Sequence, residues 1–310
     1  MHPAFSVIIF TVTSGMGYGI FVFSALIALT NTSLDTAALT DGLQASTAVG
    51  LLCVTIGLVS STFHLANPKN AWRAFLRFKS SWLSREGVFA ILAYPISFAF
   101  FGATLIAEEN PNALLVSAIF LVIISLVTIY STGMIYACLK TIRAWNSPLV
   151  PCNYILIGLL SGSLATTTIF SFQGDLTVIN LEALTLLPLL VLVTKVVYYY
   201  FIGKPSGLSV KTATGLSGRI VRLLHSGESA KNFSMREFGF EVSSSTVIVL
   251  RGASLTLMTV LPTTLILTTE PGFEIYLSLT VLCIIGAIVE RWLFFAEAKH
   301  VVNLYYGREA

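Results

Sequence analysis

Eight long apolar runs, at roughly 5–29, 43–66, 87–107, 113–139, 151–172, 181–202, 246–268 and 273–295, alternate with polar segments along the chain. Each is close to or beyond the roughly 20 residues that a helix needs to cross a hydrocarbon core. In lipid every backbone N–H and C=O must be satisfied internally, which leaves helices or a closed barrel. Barrel strands are shorter and alternate in polarity, so these continuous runs are not strands. The pattern predicts an all-α polytopic membrane protein, a bundle of eight transmembrane helices in one membrane domain spanning 1–310. The one sizeable polar feature is the segment 203–245, rich in Gly, Ser and basic residues. Loops this long often mark a binding surface, so docking of a partner is expected there in preference to a lipid-facing basic linker. Within it, Arg219–Leu224 has a short amphipathic pattern suited to a membrane surface.

Composition agrees: 55% hydrophobic, 11% charged, mean hydropathy +0.84. No soluble domain of this length looks so. Charge then adds orientation. None of the 18 lysines and arginines lies in a loop following an odd-numbered span. Lys69, Arg73, Arg77, Lys79 and Arg85 follow span two, Lys140 and Arg143 follow span four, and a further group occupies 203–245. Arg291, Lys299 and Arg308 close the chain. The opposite loops hold only acids: Asp35, Asp41, Glu108, Glu109, Asp175, Glu182, Glu270 and Glu274. The positive-inside rule places both termini in the cytoplasm. The first span lacks a basic n-region and is too long for a signal-peptide core, so it is expected to remain. Cys53, Cys138, Cys152 and Cys283 form no CxxC pair and read as small apolar residues.

Candidate chemistry is sparse. There is no P-loop, and no GxGxxG follows a strand, so nucleotide chemistry and a nucleic-acid partner are not expected. Gly15-Met-Gly-Tyr-Gly19 lies inside span one. Its GxxxG spacing suits close helix packing, or leaves room for a flat ring. A membrane haem needs axial ligands inside spans. His2, His64, His225 and His300 all fall at the ends, so no haem is expected, and no metal site. Ionisable groups within spans are costly and carry weight. Lys195, Arg251 and Glu290 lie at similar depth, and Glu290 is expected to pair with Arg251 or Lys195, as a packing ion pair or as part of a proton path or polar cavity wall. Arg85 and Glu86 open span three, as a solvated pair or as a further part of such a wall. Trp72 and Trp82, among basic residues in loop 67–86, suit the headgroup interface.

Five motifs, in order, carry a resemblance: His2-Pro3-Ala-Phe-Ser6; Ser14-Gly15-Met-Gly-Tyr-Gly19; His64-Leu-Ala-Asn-Pro68-Lys-Asn-Ala-Trp72-Arg73; Ser81-Trp82-Leu-Ser84-Arg85-Glu86; and Glu290-Arg-Trp292-Leu-Phe-Phe-Ala-Glu297. Together they resemble the membrane anchor subunits of the dimethyl sulfoxide reductase family, which includes the anchor of membrane-bound sulfite dehydrogenase. The resemblance spans essentially the whole chain. It implies an electron-transfer subunit that binds a quinone (ubiquinone or menaquinone) and docks an iron–sulfur subunit through loops 67–86 and 203–245. That partner connects to a molybdopterin catalytic subunit. Iron–sulfur clusters and molybdopterin are implied only on the partners, and no haem on the anchor. The family's functional histidine stands in His-Leu-x-x-Pro, which is His64 here, and its implied role is hydrogen bonding to a quinone carbonyl and help with proton transfer. Gly15, Gly17, Tyr18, Arg73, Arg85 and Glu86 are the implied neighbours.

Orientation discriminates within the family. The reductase form works in the periplasm, the sulfite dehydrogenase form in the cytoplasm. The basic bias places the His64 end in the cytoplasm of a bacterial inner membrane. This favours sulfite oxidation to sulfate coupled to quinone reduction over a quinol-oxidising anchor of dimethyl sulfoxide reductase. A secondary transporter is the alternative of another class. It needs a midplane site with broken helices, for which Pro95, Pro188 and Pro262 are the candidate breaks.

Overall fold

The computed structural model describes residues 1–31, 37–63, 65, 67–174, 176, 181–204, 207–217, 221, 223–224, 232–269 and 272–307. Eight helices are long and apolar enough to cross a membrane. They are α1 (Phe5–Thr30), α2 (Ala37–Thr62), α3 (Trp82–Leu105), α4 (Pro111–Ala137), α5 (Leu149–Phe172), α6 (Leu181–Gly203), a composite span described below, and α11 (Phe273–Ala296). Two short helices, α7 (Val210–Thr214) and α8 (Phe233–Phe238), lie in the long loop. A 3-10 segment, Pro68–Arg77, joins α2 to α3. Among the described residues, strand-like pairing is confined to one bridge, Ile142 with His300. The Arg219–Leu224 pattern falls largely outside the described residues.

Local chemistry sets the helix ends. Asn110 accepts from the Ala113 N–H (3.2 Å) and Pro111 follows as the first helical residue, the arrangement that satisfies a helix start. α2 begins at Ala37 rather than at 43. It stops at Thr62, ahead of Pro68.

The prolines divide. Pro95 and Pro188 sit inside unbroken α3 and α6. Pro262 is different. The seventh span is α9 (Ser244–Leu255), a π turn at Thr256–Val260, and α10 (Leu261–Thr268). A proline cannot donate to the carbonyl four residues back and clashes with it, and the wider turn accommodates that mismatch.

α1 is the centre of the bundle, in contact with α2, α4, α5 and α11. Its glycines explain how. A side chain on Gly19 would begin 2.0 Å from the Gly158 carbonyl oxygen, and one on Gly162 would begin 2.2 Å from Gly19. Two GxxxG faces, Gly15/Gly19 and Gly158/Gly162, thus press α1 and α5 together backbone to backbone, the tightest form of helix packing in lipid. Gly19→Ala is expected to force the helices apart, at a cost of about 1–3 kcal/mol or more. The measurement is thermal stability of the detergent-solubilised protein; an unchanged melting temperature would mean that α1 and α5 do not cross here. Outward positions such as Val193, Val196, Ile248 and Val249 are exposed and apolar, as a lipid-facing surface requires.

Chain segments gather at one end of the bundle, hereafter the basic end. His2 N–H donates to Glu237 O (2.9 Å), Arg143 to Lys204 O (2.6 Å), Asn303 to Phe238 O (3.2 Å), and the buried Trp145 indole to Phe294 O (2.9 Å). His300 caps the last 3-10 turn, its Nδ1 accepting from the Val302 N–H (3.0 Å), with its ring stacked on Phe238 at 4.4 Å. Burial holds the His300 pKa below the usual imidazole value. The acceptor lone pair exists only on the neutral ring, so this contact is fully present above the unfolded pKa of about 6.5. It is lost as pH falls through the lower folded value. Amide protection in 232–240, relative to the intrinsic exchange rate at each pH, is expected to be lower at pH 5.5 than at 7.5; equal protection at both would show that His300 does not hold this cap.

Candidate functional site

Adjacent residues on a helix point about 100° apart, and α3 uses this to separate Arg85 from Glu86. Arg85 turns back onto the connecting segment, donating to Phe78 O (3.0 Å) and Lys79 O (2.8 Å), with its guanidinium 4.2 Å from the Trp82 ring centre. Glu86 turns inward and is only 5% exposed. The two therefore do not form a solvated pair. Glu86 Oε1 accepts a short hydrogen bond from the Thr132 hydroxyl of α4. The Tyr18 hydroxyl of α1, buried and without a hydrogen-bond partner among the described residues, lies within electrostatic reach of Glu86 and of Tyr94. Tyr94 shares a 2.8 Å hydrogen bond with Thr55 of α2.

A buried carboxylate and an unpartnered phenol thus lie within electrostatic reach of each other, on α3 and α1. Leaving a buried hydroxyl unpaired costs about 1–3 kcal/mol, and a ligand carbonyl at Tyr18 would remove that cost. The donor set suits a quinone head group. Its two carbonyls only accept hydrogen bonds, Tyr18 supplies a hydroxyl donor, and Glu86 can hold or release a proton.

The other expected site residues are placed differently. Arg73 is exposed on the 3-10 segment, 5.7 Å from the Trp72 ring centre. Gly17 leaves no room for a ring, because the backbone of Gly50 and the side chain of Val54 fill the space where its side chain would be. Gly15 is engaged in the α1–α5 contact. His64 lies outside the described residues.

A second polar constellation crosses the same end. Lys195 of α6 donates to Glu290 Oε1 of α11 at 2.5 Å, the two being 2% and 1% exposed. Arg251 pairs instead with Glu297, its Nε 3.1 Å from Glu297 Oε1. Residues 290 and 297 lie about two helical turns apart on one face of α11, so each carboxylate meets its own cation. Arg291, expected among the loop cations, is buried. Its Nε lies 3.4 Å from Glu290 Oε2 and its guanidinium 3.6 Å from the Tyr154 ring centre. Tyr154 stacks on Tyr136 at 5.8 Å, and Tyr136 lies within electrostatic reach of Glu86.

Two spaces adjoin this row. A cleft of about 1030 Å³ opens at the basic end among Arg143, Lys204, Arg251, Glu297 and Lys299. A void of about 10 Å³ lies between α1, α5 and α11, bounded by Thr11, Gly15, Tyr154, Ser161 and Arg291.

Comparison with known proteins gives a consistent picture. Residues 1–307 match the family model described as the DMSO reductase anchor subunit, DmsC. The chain is 30% identical to a sulfite dehydrogenase subunit of Allochromatium vinosum, over 99% of its own length and 99% of that protein.

Proposed function

This chain belongs to the dimethyl sulfoxide reductase anchor-subunit family, and from that premise we propose that it is the quinone-reactive anchor of a molybdoenzyme that oxidises sulfite to sulfate. Sulfite and water yield sulfate, two protons and two electrons on a partner molybdopterin subunit. An iron–sulfur subunit passes the electrons to the membrane. A quinone supplies the acceptor chemistry, taking two electrons and two protons to become a quinol.

The residues of this chain bind and protonate. Tyr18 donates its hydroxyl to a carbonyl at the head group. Glu86, held by Thr132, carries a proton at its carboxyl, and His64 serves the second carbonyl. Arg85 anchors the segment that leads into α3. Loops 67–86 and 203–245 dock the iron–sulfur subunit on the cytoplasmic face of the inner membrane, with both termini on that side.

The observation that carries this reading is the buried Glu86–Thr132 pair beside the unpartnered Tyr18 hydroxyl, at the end where the basic loops gather. Two observations support sulfite over the reductase chemistry: the full-length similarity to a sulfite dehydrogenase subunit, and the basic bias of the loops, which by the positive-inside rule favours the cytoplasmic side. The transporter reading has less support, since the buried charges sit toward one end and Pro95 and Pro188 leave their helices unbroken.

The test is gentle purification of the chain from its native membrane, with mass and metal analysis of what accompanies it. The expected result is a molybdenum-containing chain and an iron–sulfur chain, neither bearing an export signal, with sulfite:quinone activity. A twin-arginine signal on the molybdenum chain would move the assignment to a reductase, and recovery of this protein alone and metal-free would sink the electron-transfer reading.

A further inference from the structure

Quinone reduction needs protons, and the Glu86 site is buried. Under the function proposed above, the face beside it is covered by a partner. A row of polar groups leads to it from elsewhere. The row starts in the open cleft at the Arg251–Glu297 pair. The Tyr199 ring lies 4.4 Å from the Arg251 guanidinium and 4.5 Å from Lys195 Nζ. Lys195 meets Glu290, Glu290 meets Arg291, Arg291 lies on Tyr154, and Tyr154 stacks on Tyr136, which feels the charge of Glu86.

A row built only for packing would satisfy its own members, since buried polar atoms are almost always bonded. This one does not. Tyr199 Oη, Glu290 Oε2, Arg291 Nη1 and Tyr154 Oη are all buried without a hydrogen-bond partner among the described residues. Ser254 is the polar neighbour of Tyr199, and Tyr136 of Tyr154. The void bounded by Tyr154 and Arg291, at about 10 Å³, approaches the size that holds one water, and its Thr11 and Ser161 walls are polar. Unbonded donors and acceptors in succession, with room for water beside Tyr154 and Arg291, form what a proton relay requires and what a dry ion pair does not.

We propose that this row is a hydrated proton path running laterally through the bundle, carrying protons from the Arg251–Glu297 cleft to Glu86. The proposal rests on the quinone-reactive role given above. For each quinone reduced, two electrons come from the partner iron–sulfur subunit and two protons from water in the cleft. At each hydroxyl or water one O–H bond forms on the cleft side as another breaks on the Glu86 side. Rotation of the hydroxyls then resets the row. Arg251 and Arg291 keep their protons throughout and hold the carboxylates in place.

The first test needs no substitution and no turnover. Hydroxyl-radical footprinting of the purified complex, with radicals generated from water inside the protein, is expected to label the buried Tyr154 while Phe100 and Phe170, buried among apolar groups, stay unlabelled. A Tyr154 as inert as those phenylalanines would overturn the proposal. The second test is Tyr154→Phe and Tyr199→Phe. For a structural tyrosine, losing an unpaired hydroxyl is neutral or stabilising. A relay predicts instead that quinone reduction falls about 10-fold or more with a larger solvent deuterium isotope effect, at unchanged melting temperature and unchanged sulfite oxidation by an artificial acceptor. Wild-type quinone reduction in both variants also overturns it. Loss in the Glu86→Gln variant with normal turnover in both phenylalanine variants would remove the path alone, whereas normal turnover in Glu86→Gln removes the quinone site itself.

Discussion

Glu86→Gln is expected to reduce sulfite:quinone turnover by about 100-fold or more while sulfite oxidation with an artificial acceptor continues at the wild-type rate. The magnitude is the usual contribution of a positioned acid or base. Glutamine keeps the shape and can still accept from Thr132, so the fold and the α3–α4 contact are preserved, and only the ability to carry a proton goes. This makes the result informative where a truncation would not be. His64→Ala is expected to give the same pattern, because both groups serve one reaction and their effects on it are not independent. The two assays, run on one preparation, separate the electron source from the electron exit. If both activities persist in both variants, the quinone does not bind at this end of α3.

The spans were legible because lipid leaves the backbone few choices, and an apolar run of about 20 residues has only one common structure there. The α1–α5 contact was half legible: Gly15/Gly19 stood out, and the partner Gly158/Gly162 shows the same spacing in the sequence. Depth predicted a partner for Glu290 and included the one observed, Lys195. It failed for Arg251, because Glu297 reads as the start of a polar tail, although residues 290 and 297 share a helix face by simple periodicity. Arg291 was hidden for the same reason: a cation at a helix end is ordinarily solvated, and nothing local shows that Tyr154, far away in sequence, lies beneath it. The Glu86–Thr132 bond is a tertiary fact, made by residues 46 apart, and no pattern along the chain encodes it. The inward turn of Glu86 against the outward turn of Arg85 was open to periodicity, had the lipid-facing side of α3 been known.

Loss of a single member of the buried charge row is expected to damage the fold in a fixed order. Truncating one partner of a buried ion pair leaves an uncompensated charge and typically costs about 3–5 kcal/mol. Glu290→Gln should be worst, because Lys195 and Arg291 would then face each other as two buried cations with no carboxylate between them. Lys195→Met should cost less, since Glu290 retains Arg291 at 3.4 Å. The double variant Lys195→Met/Glu290→Gln should recover part of the stability lost in the single Glu290 change, because it removes one of the two buried cations and leaves Arg291 the ring of Tyr154. Thermal melting in detergent of the three variants, treated as a double-mutant cycle, reads the coupling directly. A strictly additive cycle would show that Lys195 and Glu290 are not partners in the membrane. The double variant also separates the two roles of the row: it is expected to be stably inserted and yet slow in quinone reduction, since it replaces the Glu290 oxygen that lies between Tyr199 and Tyr154 with an amide that cannot pass a proton on.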